Sequence, residues 1–123
     1  MLKLDARIEY RDKRNLLTPE KVNVLSEQIF NVFFQNFDIS KYENVHFFNT
    51  ITKMKEVNTS FFVNTLLEKH PNINLITSVS DINSNFLTHY IVNKDTVYVE
   101  NLFRIPEPTN GIKINENEID LVL

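Results

Sequence analysis

The sequence predicts a three-layer α/β domain: a mostly parallel sheet with helices on both faces and an antiparallel hairpin. Two patterns predict it. An apolar, strand-like run at 45–48, a helical segment ending at His70-Pro71 and a second strand-like run at 74–79 follow in order. That succession is a βαβ unit, with parallel strands and a right-handed crossover. Further on, segments 86–92 and 96–101 flank Asn93-Lys94-Asp95, a hairpin signal. The 123 residues form one domain, 1–123, and 42% apolar content with ten Phe is enough for a core.

Residues 2–14 alternate Leu2, Leu4, Ala6, Ile8 and Tyr10, which formally suits a strand. A helix explains more. Leu4 and Ile8 stack at i,i+4, Lys3 and Arg7 share a face at the same spacing, and Glu9–Lys13 is a supporting ion pair. Leu17-Thr18-Pro19-Glu20 then starts a second helix. Thr18 can cap, Pro19 suits the first helical position, and Glu20 suits the positive end of the dipole. Val22, Leu25, Ile29, Val32 and Phe33 recur at helical spacing to about residue 35, with Phe30, Phe34 and Phe37 widening the stripe. The whole stripe reads as core packing against a sheet, and the aromatics as buried.

After the strand at 45–48 comes an irregular polar loop at 49–55. A helix follows, capped by Asn58 or Thr59, with Phe62, Leu66 and Leu67 inward. In sheets of this kind ligands bind outside the carboxyl ends of the strands. Glu56 therefore lies where a ligand-binding acid could, although a carboxylate at a helix start is also favoured by the dipole alone. Lys3 and Arg7 read as a solvated face, the commoner outcome for such charges. His89, among apolar residues, reads as a packed strand residue. Segment 101–108, with Pro106 and Pro108 around Glu107, reads first as a loop joining two strands, and otherwise as a rigid, extended arm that can hold Phe103 at the rim of a cleft. Segment 109–118 reads as a polar loop, and 119–123 begins a buried strand.

Composition excludes several classes. There is no cysteine, hence no disulfide framework and no Cys-ligated zinc. Gly111 is the only glycine, which excludes a P-loop or dinucleotide fingerprint within these residues. A net charge of −3 argues against nucleic-acid binding. No apolar run is long enough for a membrane span and no signal peptide is seen, so a soluble, cytoplasmic protein is expected. No second His stands at ligand spacing, so no protein-built metal site is expected, and no catalytic residue can be assigned.

Four pieces, in order, carry a resemblance: Lys3…Arg7 with Arg14-x-x-Leu17-Thr18; Phe47-Phe48 with Lys55-Glu56-Val57-Asn58-Thr59; Ile105-Pro106-Glu107-Pro108; and Ile119-Asp120-Leu121-Val122-Leu123. The chain resembles the N-terminal part of the 5-formyltetrahydrofolate cyclo-ligase (methenyltetrahydrofolate synthetase) family. The resemblance implies ATP-dependent cyclisation of 5-formyltetrahydrofolate to 5,10-methenyltetrahydrofolate, with Mg²⁺. It implies that Lys3 and Arg7 contact ATP, that Glu56 binds the folate, and that Phe103 stacks on it where the family often has Trp. Arg104 falls where related chains often have Gly or Asn. The family's glycine-rich ATP-binding segment is lacking here, which implies a truncated chain that binds folate weakly and turns nothing over by itself. The alternative is a non-catalytic α/β binding or interaction module, with Phe103 and the Pro-Glu-Pro arm as a protein contact. A monomer or weak dimer is expected, since an exposed sheet edge can pair.

Overall fold

Helix α1 (Lys3–Asn15) is held by local pairing rather than by burial. Glu9 and Lys13 form the expected ion pair, and the Lys13 ammonium also sits over the Tyr10 ring. No α1 side chain is buried, and Leu4 and Ile8 are 66% and 42% exposed. Helix α2 (Pro19–Asn36) begins as its sequence dictates: Thr18 Oγ1 accepts the Lys21 N–H, with Pro19 in the first position. Its buried stripe is Ser26 and Phe30, with Phe33 and Phe34 half-buried beside them. All three Phe rings lie within 5.7 Å, centroid to centroid, of Phe62 on α3 (Ser60–Lys69). Asn58 supplies the side-chain cap of α3, accepting the Ser60 N–H. Phe62 and Leu66 point inward as the spacing predicts, whereas Leu67 is 36% exposed.

The computed structural model describes residues 1–123. Its main sheet contains β1 (Asn44–His46), β2 (Asn74–Ser80), β3 (Leu87–Val92), β6 (Ile112–Ile114) and β7 (Leu121–Val122). They lie in the order β6-β3-β2-β1-β7. Strands β1 and β2 pair in parallel across the α3 crossover, and β7 pairs in parallel with β1. Strand β3 is antiparallel to both β2 and β6, so four of the five strands point the same way. The βαβ unit and the mostly parallel α/β sheet read from the sequence are thus present.

Alternation divides the strands between two faces. Val45, Phe47, Leu75 and Val92 join Phe30, Phe62 and Leu66 in the core under α2 and α3. Ile76, pointing the other way, is also fully buried. A second, two-stranded sheet of β4 (Tyr98–Glu100) and β5 (Pro106–Pro108) packs by β5 against β2. Its Glu107 carboxylate accepts the Ser80 N–H at 2.9 Å.

The antiparallel hairpin is present, but elsewhere than expected. Asn93-Lys94-Asp95 does turn: Asn93 accepts the Asp95 N–H and Thr96 accepts the Asn93 N–H. The strand beyond it does not return to β3. Both edges of β3 are already occupied, by β2 and β6, so β4 pairs with β5 instead. The β2–β3 hairpin is closed by Asp81, whose carboxylate accepts from the Asn83 N–H and the Ser84 hydroxyl.

Strand β6 lies within the segment read as a polar loop. It needs the one glycine. Gly111 has φ 147°, and a Cβ there would stand 2.8 Å from the Ile91 carbonyl oxygen. Strand β7 is less buried than its composition suggests, with Val122 65% exposed at the sheet edge. Asp120 anchors it by accepting the backbone N–H groups of Glu43 and Asn44. The extended arm is shorter than the prolines suggest. Residues 101–105 form a tight turn in which Asn101 Oδ1 accepts from Phe103 and Ile105 N–H and Arg104 takes φ 64°.

Candidate functional site

The loop after β1 is built to hold a carboxylate at the sheet's carboxyl edge. Thr50 Oγ1 donates to the Val57 carbonyl and accepts the Thr59 N–H, while Thr59 donates to the Phe48 carbonyl. Ser26 of α2 accepts the Asn58 N–H at 2.8 Å and donates to Val22 at 2.7 Å, which ties the loop's end to the helix. Inside this frame one oxygen of Glu56, Oε2, accepts the Ile51 N–H at 2.9 Å. Its other oxygen makes no hydrogen bond within the protein. Lys55, in the left-handed region at φ 51°, turns back to donate to the Asn15 carbonyl at the end of α1.

The frame encloses a cavity of about 680 Å³. Its floor is the carboxyl end of β1 and β2, from His46, Phe47, Thr77 and Ser78. Its wall is Val22, Leu25 and Ile29 of α2. Those three were expected to join the core by their spacing; Phe30 and Ser26 take that place, and the neighbouring stripe is left to face the hollow. Arg14, Lys55 and Glu56 supply its charges, and Ile105 reaches it from the arm. The volume lies within the range of small-molecule sites, and few polar groups in a mostly apolar wall are their usual composition.

Two polar atoms at this cavity's residues are buried without a partner: Arg14 Nε and His46 Nδ1. The other nitrogen of His46, Nε2, is 2.7 Å from Ser78 Oγ, which is itself 2.7 Å from His89 Nδ1. Burial, and then the charge His89 would carry, hold His46 below the usual imidazole range. His89 is therefore a strand residue, as expected, and also one end of a polar chain across three strands.

The structure brings some of the singled-out residues together and leaves others apart. Glu56 lines the cavity. Phe103 does not; it is 68% exposed in the turn, two residues from the lining Ile105. Lys3 and Arg7 lie exposed on α1, away from the lining, while Arg14 at the other end of that helix is part of it. Glu107, central to the double-proline motif, holds Ser80 and Asn101 Nδ2. Sequence reasoning passed over Arg14, His46 and Ser78. Arg14 stood inside a quoted motif; nothing in the sequence marks Ser78, which only the β2–β3 register sets beside His89.

No protein-family model matches the sequence, and no curated protein matches it. Among solved structures, the chain is similar to the NMR structure of Aquifex aeolicus 5,10-methenyltetrahydrofolate synthetase, with a TM-score of 0.78. This chain has the fold of that synthetase. The superposition covers 99% of this chain at 24% identity. It covers 59% of the synthetase chain, so these residues span somewhat over half the length of that structure. No helix is long and apolar enough to cross a membrane, and no group of three or more His, Asp or Glu stands where it could hold a metal ion.

Proposed function

We propose that the cavity beside Glu56 binds 5-formyltetrahydrofolate, and that this chain is the folate-binding part of an ATP-dependent cyclo-ligase forming 5,10-methenyltetrahydrofolate. One observation carries the reading. In a chain with the synthetase fold, a carboxylate with a free oxygen stands in the wall of a largely apolar cavity at the carboxyl ends of two parallel strands. A pterin has apolar faces and an edge rich in N–H donors, and the acceptor-only carboxylate of Glu56 suits that edge. Phe103, close in sequence to Ile105, would stack on the ring once the exposed turn folds over the opening.

The reaction joins a second folate nitrogen to the formyl carbon and expels the formyl oxygen. ATP, a substrate, supplies the phosphoryl group that makes that oxygen a leaving group. Such transfer depends on positioning and on neutralising charge. In this reading Lys3 and Arg7 meet the nucleotide phosphates from α1, and Arg14 and Lys55 place positive charge nearer the cavity. Mg²⁺ would come with the phosphates, held by their oxygens and by water, as it commonly is.

Calorimetric titration with 5-formyltetrahydrofolate tests the binding. Glu56→Gln is expected to weaken it about tenfold or more, the loss of a charged hydrogen bond, with little change in stability. ATP-dependent appearance of the methenyl product tests the chemistry, with this chain and with one extended past Leu123. No binding and no product from either chain overturns the reading. A second reading, a non-catalytic interaction module, is favoured by the exposed β4–β5 ribbon, where Val97, Val99, Leu102 and Phe103 all face solvent. It predicts that Phe103→Ala leaves folate titrations unchanged and reduces self-association in sedimentation.

A further inference from the structure

In the His46–Ser78–His89 chain, the orphaned nitrogen of His46 decides where the first hydrogen points. A neutral imidazole carries one N–H. Were it on His46 Nδ1, a buried donor would be left without an acceptor, and orphaned buried N–H groups are rarer than under-used acceptors. The hydrogen therefore sits on Nε2 and is donated to Ser78 Oγ at 2.7 Å. Ser78 Oγ is also 2.7 Å from His89 Nδ1, which takes the Ser78 hydrogen when that nitrogen carries none of its own. A hydroxyl has one hydrogen and two acceptor positions. With the hydrogen of His89 on Nε2, the Ser78 hydrogen and one acceptor position are both used, and a single lone pair is left for the cavity Ser78 lines.

We infer that His89 carries its hydrogen on Nε2 and that Ser78 is therefore a specificity-determining contact, which accepts a hydrogen bond from an N–H or O–H group of the ligand and rejects a ligand presenting an acceptor there. With Glu56 it makes two acceptors in one cavity. The inference rests on the folate reading only for the ligand's identity. A donor-rich heterocyclic edge is the chemistry both groups select.

Two measurements test this. Imidazole ¹⁵N NMR of the unliganded protein at about pH 8, above the histidine range, is expected to show both rings protonated at Nε2. A hydrogen on His89 Nδ1 overturns the inference without any ligand. Titration with 5-formyltetrahydrofolate at the same pH then measures the contact. Ser78→Ala should bind it about tenfold more weakly than the unsubstituted chain, one lost hydrogen bond. His89→Phe, which removes the acceptor of the Ser78 hydrogen, should be weakened likewise. Folate binding lost on Glu56→Gln but indifferent to Ser78→Ala overturns this inference alone. No binding by the unsubstituted chain at any pH overturns the folate reading and this ligand contact with it.

Discussion

At the scale of single residues, placement rather than type decides what a side chain can do. His46 is the clearest case. Its ring is half-buried, and burial together with His89 disfavours its charged form. The sign follows from linkage. The unfolded chain takes up a proton near the ordinary histidine value, about 6.5, while the folded chain resists it. The unfolded state then binds more protons, so stability falls as pH drops below about 6.5 and keeps falling until the depressed folded value is passed. Urea denaturation from about pH 7.5 down to pH 5, spanning the histidine range, should show a falling midpoint. His46→Phe should flatten that slope, because the phenyl ring keeps the shape and has nothing to protonate. An equal slope in the variant would show that other groups set the acid limb. Glu56 teaches the same lesson more simply. Its sequence position was compatible with a ligand acid and with a helix-start carboxylate; the structure shows one oxygen committed to Ile51 and one left over.

At the scale of elements, what the sequence revealed was local, and what it hid was pairing. The Thr18-Pro19 start and the Asn58 cap are short-range hydrogen bonds between residues two or three apart, and both were legible. The α3 crossover was legible because strand, helix and strand follow one another within 37 residues, Asn44–Ser80. The partner of β4 was not, since a turn at Asn93-Lys94-Asp95 says nothing about whether the edge of β3 is free. Strand β6 was hidden because three residues after a polar stretch carry too little periodicity, and Gly111 explains itself only once Ile91 is seen above it. Helix α1 shows the opposite. Its i,i+4 pattern is a genuine helix signal, yet the helix buries no side chain. Exposed ion pairs and one cation–π contact contribute little. Amide hydrogen exchange should therefore find α1 the least protected helix, while α3, β1 and β2, which carry Phe62, Leu66, Val45 and Ile76, open only with global unfolding. Equal protection in α1 and α3 would mean that a contact beyond those described anchors the first helix. A ligand gripping Arg14 and Lys55 is expected to raise α1 protection, since Lys55 already holds the helix's last carbonyl.

At the scale of the whole molecule, α2 serves two interiors at once. One stripe, with Ser26 and Phe30, closes the core; the adjacent stripe, with Val22, Leu25 and Ile29, faces the cavity. The sequence could not separate them, because both are apolar and both recur at helical spacing. Substitution separates them. Phe62→Ala removes a fully buried ring from the centre of the aromatic cluster and should lower unfolding free energy by about 3–5 kcal/mol, while the residues that line the cavity stay in place. Ile29→Trp works in the reverse direction. Ile29 is 49% exposed and stands at the hollow, so a larger ring has space to enter without displacing core atoms. Stability should change by less than about 1 kcal/mol, as for a surface site with no packing conflict, whereas the proposed binding of 5-formyltetrahydrofolate should weaken more than tenfold because the ring takes the ligand's volume. Paired denaturation and titration on the two variants decide the matter. If Ile29→Trp binds as well as the unsubstituted chain, the ligand does not occupy this cavity. If it destabilises as much as Phe62→Ala, the two stripes of α2 belong to one core and the hollow is only slack in its packing.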